Sequence, residues 1–499
     1  MQPQTRAEAT GYRETSLHRH VMEFLAAVDK RHLALSSFGT SPGGRDLPLV
    51  VMSAHGVKTP EEARRAGLPI VLVINGIHAG EVEGKEASMM LMRDLQLQGS
   101  DLLAQMTLVF VPLFNPDGND AVDPANRRLD LPKLHGQIGP ELVGTRVNAK
   151  GINLNRDYMR QEAAEMRALQ SRVCQVWQPD LTIDTHATNG SVHRMQMTYD
   201  VPHTIASGRA EPIVYMRDQM MPAVQAALAR EHQVIAGWYG NFVEDERALD
   251  ANRDADPHAP VREGWMTYTH HPRFGSNYRG LTNRLDLLLE CYSYLPYPER
   301  VRTTYATLLE ALRYVAAHRD DVMQVVAASR APRDQIAVRY RLDAFDQPLA
   351  IPTRTPRTPD GAPSEVTVRY FGKFEGTKLV ARPPGYIVPP ALAEHLGRHG
   401  LPSEPIEGER SVEIATVTGF GSEGGRKILE SASVGDVHVE WRRATRTVPD
   451  GHRVVRTDHP LAAIAVYLCE PESDDSAIEN SVIPAPDAGG EVAAWRLLQ

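Results

Sequence analysis

Cysteine is nearly missing from this chain: three residues in 499, Cys174, Cys291 and Cys469. An odd, scattered set builds no disulfide framework, and neither a CxxC pair nor a Cys/His zinc-finger spacing occurs. All three are expected as small buried apolar residues. Excess positive charge is missing too. The formal net charge is −9 and the pI is near 6.1, whereas nucleic-acid binding leaves a basic footprint. No nucleic-acid partner is expected. No apolar run approaches the ~20 residues that cross a bilayer, so no membrane partner is expected either. The opening MQPQTRAEATGYRETS lacks the apolar stretch of a secretory leader. The chain as given reads as cytoplasmic, with a secreted or periplasmic location open if a leader was removed. Internal repeats and low-complexity tracts are absent.

What is present exceeds one ordinary core, since domains typically run about 50–250 residues. The shares of hydrophobic residues, 42%, and charged residues, 23%, are those of a soluble globular protein. The runs LPIVLVINGI (68–77), MTLVFVPLF (106–114), DLTIDTHA (180–187) and LDLLLECYSY (285–294) are apolar and β-branched without alternation, the pattern of strands buried on both faces. Helical spacing occupies 15–35, with Ser16 as the expected N-cap, and also 85–96, 161–176, 212–231 and 299–328. PEEARRAG (60–67) reads as a polar insert. Strands alternating with helices predict an α/β fold with a mixed, largely parallel sheet flanked by helices. Beyond about residue 332 the character changes to short Val/Thr/Arg-rich segments between turns. Two domains are expected: an α/β catalytic domain over 1–332 and a smaller β-rich domain over 333–499.

Four features carry chemistry. His78 and Glu81 follow directly after a strand, where open α/β sheets place their sites. An imidazole and a carboxylate in one tight loop can share a zinc ion. His186, at the end of DLTIDTH, would complete a two-His, one-carboxylate set with an open fourth position; His193 is a nearby rival. Glu290 closes the apolar strand LDLLLE, and an acid there reads as functional unless an arginine pairs with it. Beside a metal-bound water whose pKa falls to about 7, it could serve as general base. Asn155-Arg156, in GINLNRDY, offers a planar fork and an amide suited to a carboxylate.

With Asn115-Pro-Asp-Gly118, these features stand in one order: His78/Glu81, Asn115–Gly118, Asn155-Arg156, His186, Glu290. That order, and the flanking VINGIHAGEVEGKEA, FVPLFNPDGND and TRVNAKGINLNRDY, resemble the zinc metallocarboxypeptidase family of the carboxypeptidase A type. The resemblance spans about residues 15–325. PPGYIVPPALAEHLGRHGL, HPLAAIAVYLCEPESDDS and the closing VAAWRLLQ resemble a domain that follows the catalytic one in some bacterial members. The resemblance implies one Zn2+ held by His78, Glu81 and His186, with Glu290 as general base and then acid to the leaving amine. It implies a peptide substrate whose free C-terminal carboxylate is held by Asn155 and Arg156. Arg146 matches the arginine that stabilises the oxyanion, with Arg127 and Arg128 as rivals. A substrate-capping tyrosine would be Tyr268 or Tyr278. One departure stands out: Asn153 occupies a position that is often Asp, so the support of a zinc-bound histidine would bring no charge. No acid in 240–280 marks itself as specific for basic side chains; Asp245, Asp250, Asp254 and Asp256 are available. The reaction expected is removal of C-terminal residues from peptides. Alternatives on the same fold are a zinc amidase or deacylase acting on a small N-acyl amino acid or cell-wall peptide, and an inactive zinc-binding module.

Overall fold

The structure, a computed structural model, describes residues 2–98, 100–251, 254, 256–258, 261, 263–421 and 436–498. Eight strands form the main sheet: β1 (Leu33–Thr40), β2 (Asp46–Met52), β3 (Ile70–Asn75), β4 (Thr107–Val111), β5 (Leu181–Thr188), β6 (Met197–Asp200), β7 (Ala236–Trp238) and β8 (Leu285–Tyr292). Their spatial order is β1-β2-β4-β3-β5-β8-β6-β7. The central strands β4, β3, β5 and β8 run parallel, and antiparallel pairing is confined to the flanks.

The unbroken apolar strands have a simple cause. On β3, Val71 and Val73 enter one core while Leu72 and Ile74 enter the other. The first core is closed by helices α1 (Glu83–Gln98) and α2 (Tyr297–Ala317). A Cβ on Gly84 would collide with the Thr185 hydroxyl, so glycine there lets α1 lie tight against β5. The second core is closed partly by the chain's own later half: Tyr386, Leu392, Leu396, Ile464 and Tyr467 pack in the same cluster as Leu72, Tyr158 and Met166.

The β-rich part begins with β9 (Gln335–Ala344), which pairs antiparallel with β10 (Tyr370–Ala381). Tyr370–Phe371 in turn pair with Trp265–Met266, so one small sheet contains residues from both sides of the expected domain boundary. A six-stranded sheet holds Gly385–Val388, Ser403–Pro405, Glu409–Gly421, Asp436–Thr447, Arg453–Arg456 and Trp495–Leu497; Gln499 of the last motif lies outside the described residues.

Several local expectations are corrected. PEEARRAG is helical over Pro60–Ala66, because Thr59 and Glu62 form a capping box and Gly67 closes the end in the left-handed region. The N-cap of His18–Ala27 is Leu17, not Ser16; Ser16 is taken by Glu86, which accepts from its backbone N–H and hydroxyl. The helix expected over 299–328 breaks at His318 into α2 and Arg319–Ala328. Cys291 and Cys469 are buried, but Cys174 is half-buried. No helix among the described residues is long and apolar enough to cross a membrane.

Candidate metal centre and substrate cleft

After β3 the chain turns at Gly76, whose φ of +68° lies in the left-handed region, and delivers His78 and Glu81 to the carboxyl edge of the sheet. A hydrogen bond from the Glu81 N–H to the His78 carbonyl, 3.0 Å, closes that turn. β5 brings His186 to the same edge. Three donor atoms converge. His78 Nδ1 lies 3.2 Å from His186 Nδ1, His186 Nδ1 lies 3.0 Å from Glu81 Oε2, and His78 Nδ1 lies 3.2 Å from Glu81 Oε1. A tetrahedral zinc with bonds of about 2.0 Å sets its ligands roughly 3.3 Å apart.

The far side of each ring supports this orientation. His78 Nε2–H donates to Asn153 Oδ1 at 3.1 Å, and that oxygen is fixed by accepting the Asn155 N–H at 3.0 Å. His186 Nε2 faces Asp184 Oδ1 at 3.3 Å. Each ring therefore turns its Nδ1 inward. Burial, joined by the Arg146 guanidinium, lowers His78 to about 3, a neutral imidazole. Burial would also keep His186 neutral, but Asp184 and Glu81 outweigh it and lift this imidazole to about 10. Two imidazole nitrogens and a carboxylate oxygen, all within 4.8 Å of one another, form a donor set that fits a metal ion. His193 is elsewhere, buried between Trp265 and Tyr292.

Glu290 lies on β8 directly in register with His186 on β5. It borders a cleft of about 940 Å3 that also contains His78, Glu81, Arg146, Asn155, Arg156 and Tyr268. Burial, reinforced by Glu81 and opposed by His186 and Arg146, pushes its carboxyl up to about 8. A metal cation at the triad would pull it back down.

The three candidate arginines separate by their contacts. Arg146 is partly exposed and reaches the triad, with Nη1 3.1 Å from His78 Nδ1 and 3.5 Å from Glu81. Arg127 donates to Glu81 Oε1 at 2.9 Å, to Gln137, and to the Ala187 carbonyl and Ser293 hydroxyl. It is engaged in holding Glu81. Arg128 is exposed. Arg156 stacks its guanidinium 3.8 Å above the Phe274 ring, and Asn155 Oδ1 accepts the Gly275 N–H at 2.9 Å.

The two tyrosines part company. Tyr268 lines the cleft. Tyr278 does not: it is buried against Tyr158, and its hydroxyl lies 2.8 Å from His399 Nδ1. Asn115–Gly118 also stands apart from the cleft. Asn115 caps Gly118, while Asp117 accepts from Ser41, Gly43 and Arg45. Of the acids considered, Asp245 is buried against Ser191 and Arg357. Glu246 and Tyr239, which no sequence pattern singled out, do line the cleft, as do Tyr340, Leu342 and Phe374 from the β-rich part. The sequence there carries little periodicity: Val243–Asp250 is helical, but Asp245 is its one buried residue.

Residues 18–187 match the model of the zinc carboxypeptidase family, a span that contains His78, Glu81, Asn155, Arg156 and His186. Among solved structures, a metallo-carboxypeptidase from Burkholderia cenocepacia is 17% identical, over 60% of this chain and 69% of its own, with a TM-score of 0.41. The metallo-carboxypeptidase from Pseudomonas aeruginosa in complex with (2-guanidinoethylmercapto)succinic acid is 17% identical over 61% and 68%, with a TM-score of 0.40. Bovine thrombin-activatable fibrinolysis inhibitor in complex with tick carboxypeptidase inhibitor is 13% identical over 63% and 99%, at 0.41. None of the curated proteins matches the sequence. The family likeness read from the motifs is that of the matched model.

Proposed function

We propose that the protein is a zinc-dependent metallocarboxypeptidase that hydrolyses the C-terminal peptide bond of peptides. The observation that carries this reading is one cleft lined by His78, Glu81, Glu290, Arg146 and the Asn155-Arg156 pair, with the His186 donor grouped against His78 and Glu81. His78, Glu81 and His186 would hold a zinc ion, which when bound would supply Lewis-acid activation of water and of the scissile carbonyl. Glu290, adjacent in register to His186, takes the proton from the attacking water and returns it to the leaving amine. Arg146 directs fixed positive charge at the position where the oxyanion develops. Arg156, with its plane stacked on Phe274, presents its fork to the substrate's terminal carboxylate, and Asn155 adds amide donors. Tyr268 closes over the bound end from the cleft wall.

The test compares one peptide with a free C-terminus and the same peptide amidated, on zinc-loaded protein. The free form should be shortened from its C-terminus and the amide spared. Equal cleavage of both, or of neither, sinks the reading. A deacylase acting on small N-acyl amino acids draws separate support from Tyr340, Leu342 and Phe374, which add side chains of the β-rich part to the cleft wall. Turnover of N-acyl amino acids in preference to peptides would favour it.

A further inference from the structure

Three consecutive residues, Arg273, Phe274 and Gly275, each hold a different partner. The Arg273 N–H donates to Asp475 Oδ2 at 2.7 Å and its Nε donates to Asp475 Oδ1 at 2.8 Å. Both residues are buried, at 3% and 0% exposure. Asp475 is fixed in turn: its N–H donates to Ser473 Oγ, and its carbonyl accepts from Asn480. The neighbouring Asp474 carboxylate meets His270 at 2.6 Å. The Phe274 ring supports the Arg156 guanidinium. The Gly275 N–H holds Asn155 Oδ1.

The last bond has a chemical consequence. With its carbonyl committed to Gly275, the Asn155 amide keeps only its N–H donors for a ligand, as a carboxylate requires. Without that bond the amide is free to turn and offer an oxygen, which repels a carboxylate. The Arg156 plane depends on Phe274 in the same way. A buried ion pair adds little net stability compared with apolar residues of the same volume. Its two-point geometry does fix orientation.

We propose that Asp475, from the β-rich part of the chain, is a positioning residue for the substrate's carboxylate. Through Arg273 it orders residues 273–275, and these set Arg156 and the amide of Asn155. The inference rests on the carboxypeptidase reading, and the β-rich part is then a component of the substrate site.

The experiment uses the full-length zinc-loaded protein and three variants. Asp475→Asn keeps an acceptor for the Arg273 N–H but removes the charge. Arg273→Met with Asp475→Asn removes the ion pair without stranding a buried guanidinium. Phe274→Leu leaves the Arg273–Asp475 pair intact and removes the ring under Arg156. For each, zinc content, kcat and KM on a free-carboxylate peptide and on its amide, and hydrogen exchange of amides 273–278 are measured. All three variants should bind one zinc. KM for the free peptide should rise at least tenfold with kcat within about threefold, and discrimination against the amide should shrink by the same factor. Exchange over 273–278 should quicken in the two Asp475 variants and stay unchanged in Phe274→Leu. An unchanged KM in folded, zinc-bound Asp475 variants overturns the proposal, as does a fall in kcat alone. Should Asp475→Asn fail to fold, the double variant decides. A wild-type protein that treats both peptides alike defeats the carboxypeptidase reading itself, a different result from a discriminating wild type with indifferent variants.

Discussion

At the scale of single residues, proton transfer and metal retention should come apart. Glu290→Gln keeps the size and hydrogen-bonding reach of the side chain but cannot accept the water's proton. A fall in kcat of about 10²–10⁴-fold is expected, with one zinc still bound by elemental analysis. Asp184→Asn tests the other side of the centre. Asp184 faces His186 Nε2 and accepts from Arg279 at 2.9 Å. Replacing it should weaken zinc binding about 10–100-fold in competition with a chelator, and kcat of the fully loaded protein should change less. His78, Glu81, His186 and Glu290 could be brought together from the sequence because each lies near the carboxyl end of a strand or just after one, and strand ends are visible in sequence. What Arg127 does was not. It was weighed beside Arg146 as an oxyanion group, and only folding shows its guanidinium spent on Glu81, Gln137 and two further acceptors. Tyr268 and Tyr278 look equivalent in sequence, yet one faces the cleft and the other bonds His399, 121 residues further along.

At the scale of elements, the turn after Asn155-Arg156 carries a pH signature. Asp157 accepts the N–H groups of Glu162 and Ala163, both at 2.8 Å. Burial nevertheless outweighs those bonds and pushes its carboxyl up from 3.8 to about 6. The sign follows directly: a raised carboxyl pKa means the folded state favours the protonated form. Its contribution is fully present below about pH 4 and is lost as pH rises through 6. Asp157→Asn cannot titrate, so wild type should lose on the order of 2–3 kcal/mol relative to it between pH 4 and 7. Denaturant titrations of both proteins across that range check this. The central strands were legible because burial on both faces removes alternation and leaves unbroken apolar runs. The helix Pro60–Ala66 was not, since it buries Ala63 alone and is held by its caps rather than by an apolar stripe. The break at His318 was hidden for the opposite reason: apolar residues continue in helical spacing on both sides of it.

At the scale of the whole molecule, composition showed a change of character near residue 332, but not that the two parts share a core. Leu72 and Ile74 of the main sheet lie in one cluster with Tyr386, Leu392 and Tyr467, and Trp265–Met266 pair with Tyr370–Phe371. Two halves joined this way should unfold together. Calorimetry should show one transition, with calorimetric and van't Hoff enthalpies equal. Zinc at about 100 times its Kd should raise stability by about 2.7 kcal/mol, visible as a higher Tm that falls on chelation. The pairing of Glu290 with His186 across β8 and β5 has a consequence for refolding. Side chains alternate between faces, so a slip of one residue between these strands would turn Glu290 to the opposite side of the sheet. Such a misaligned chain would have nearly the same ellipticity as the native one and no hydrolysis. The return of turnover after dilution from denaturant therefore measures strand alignment, which the spectroscopic recovery of β-structure does not.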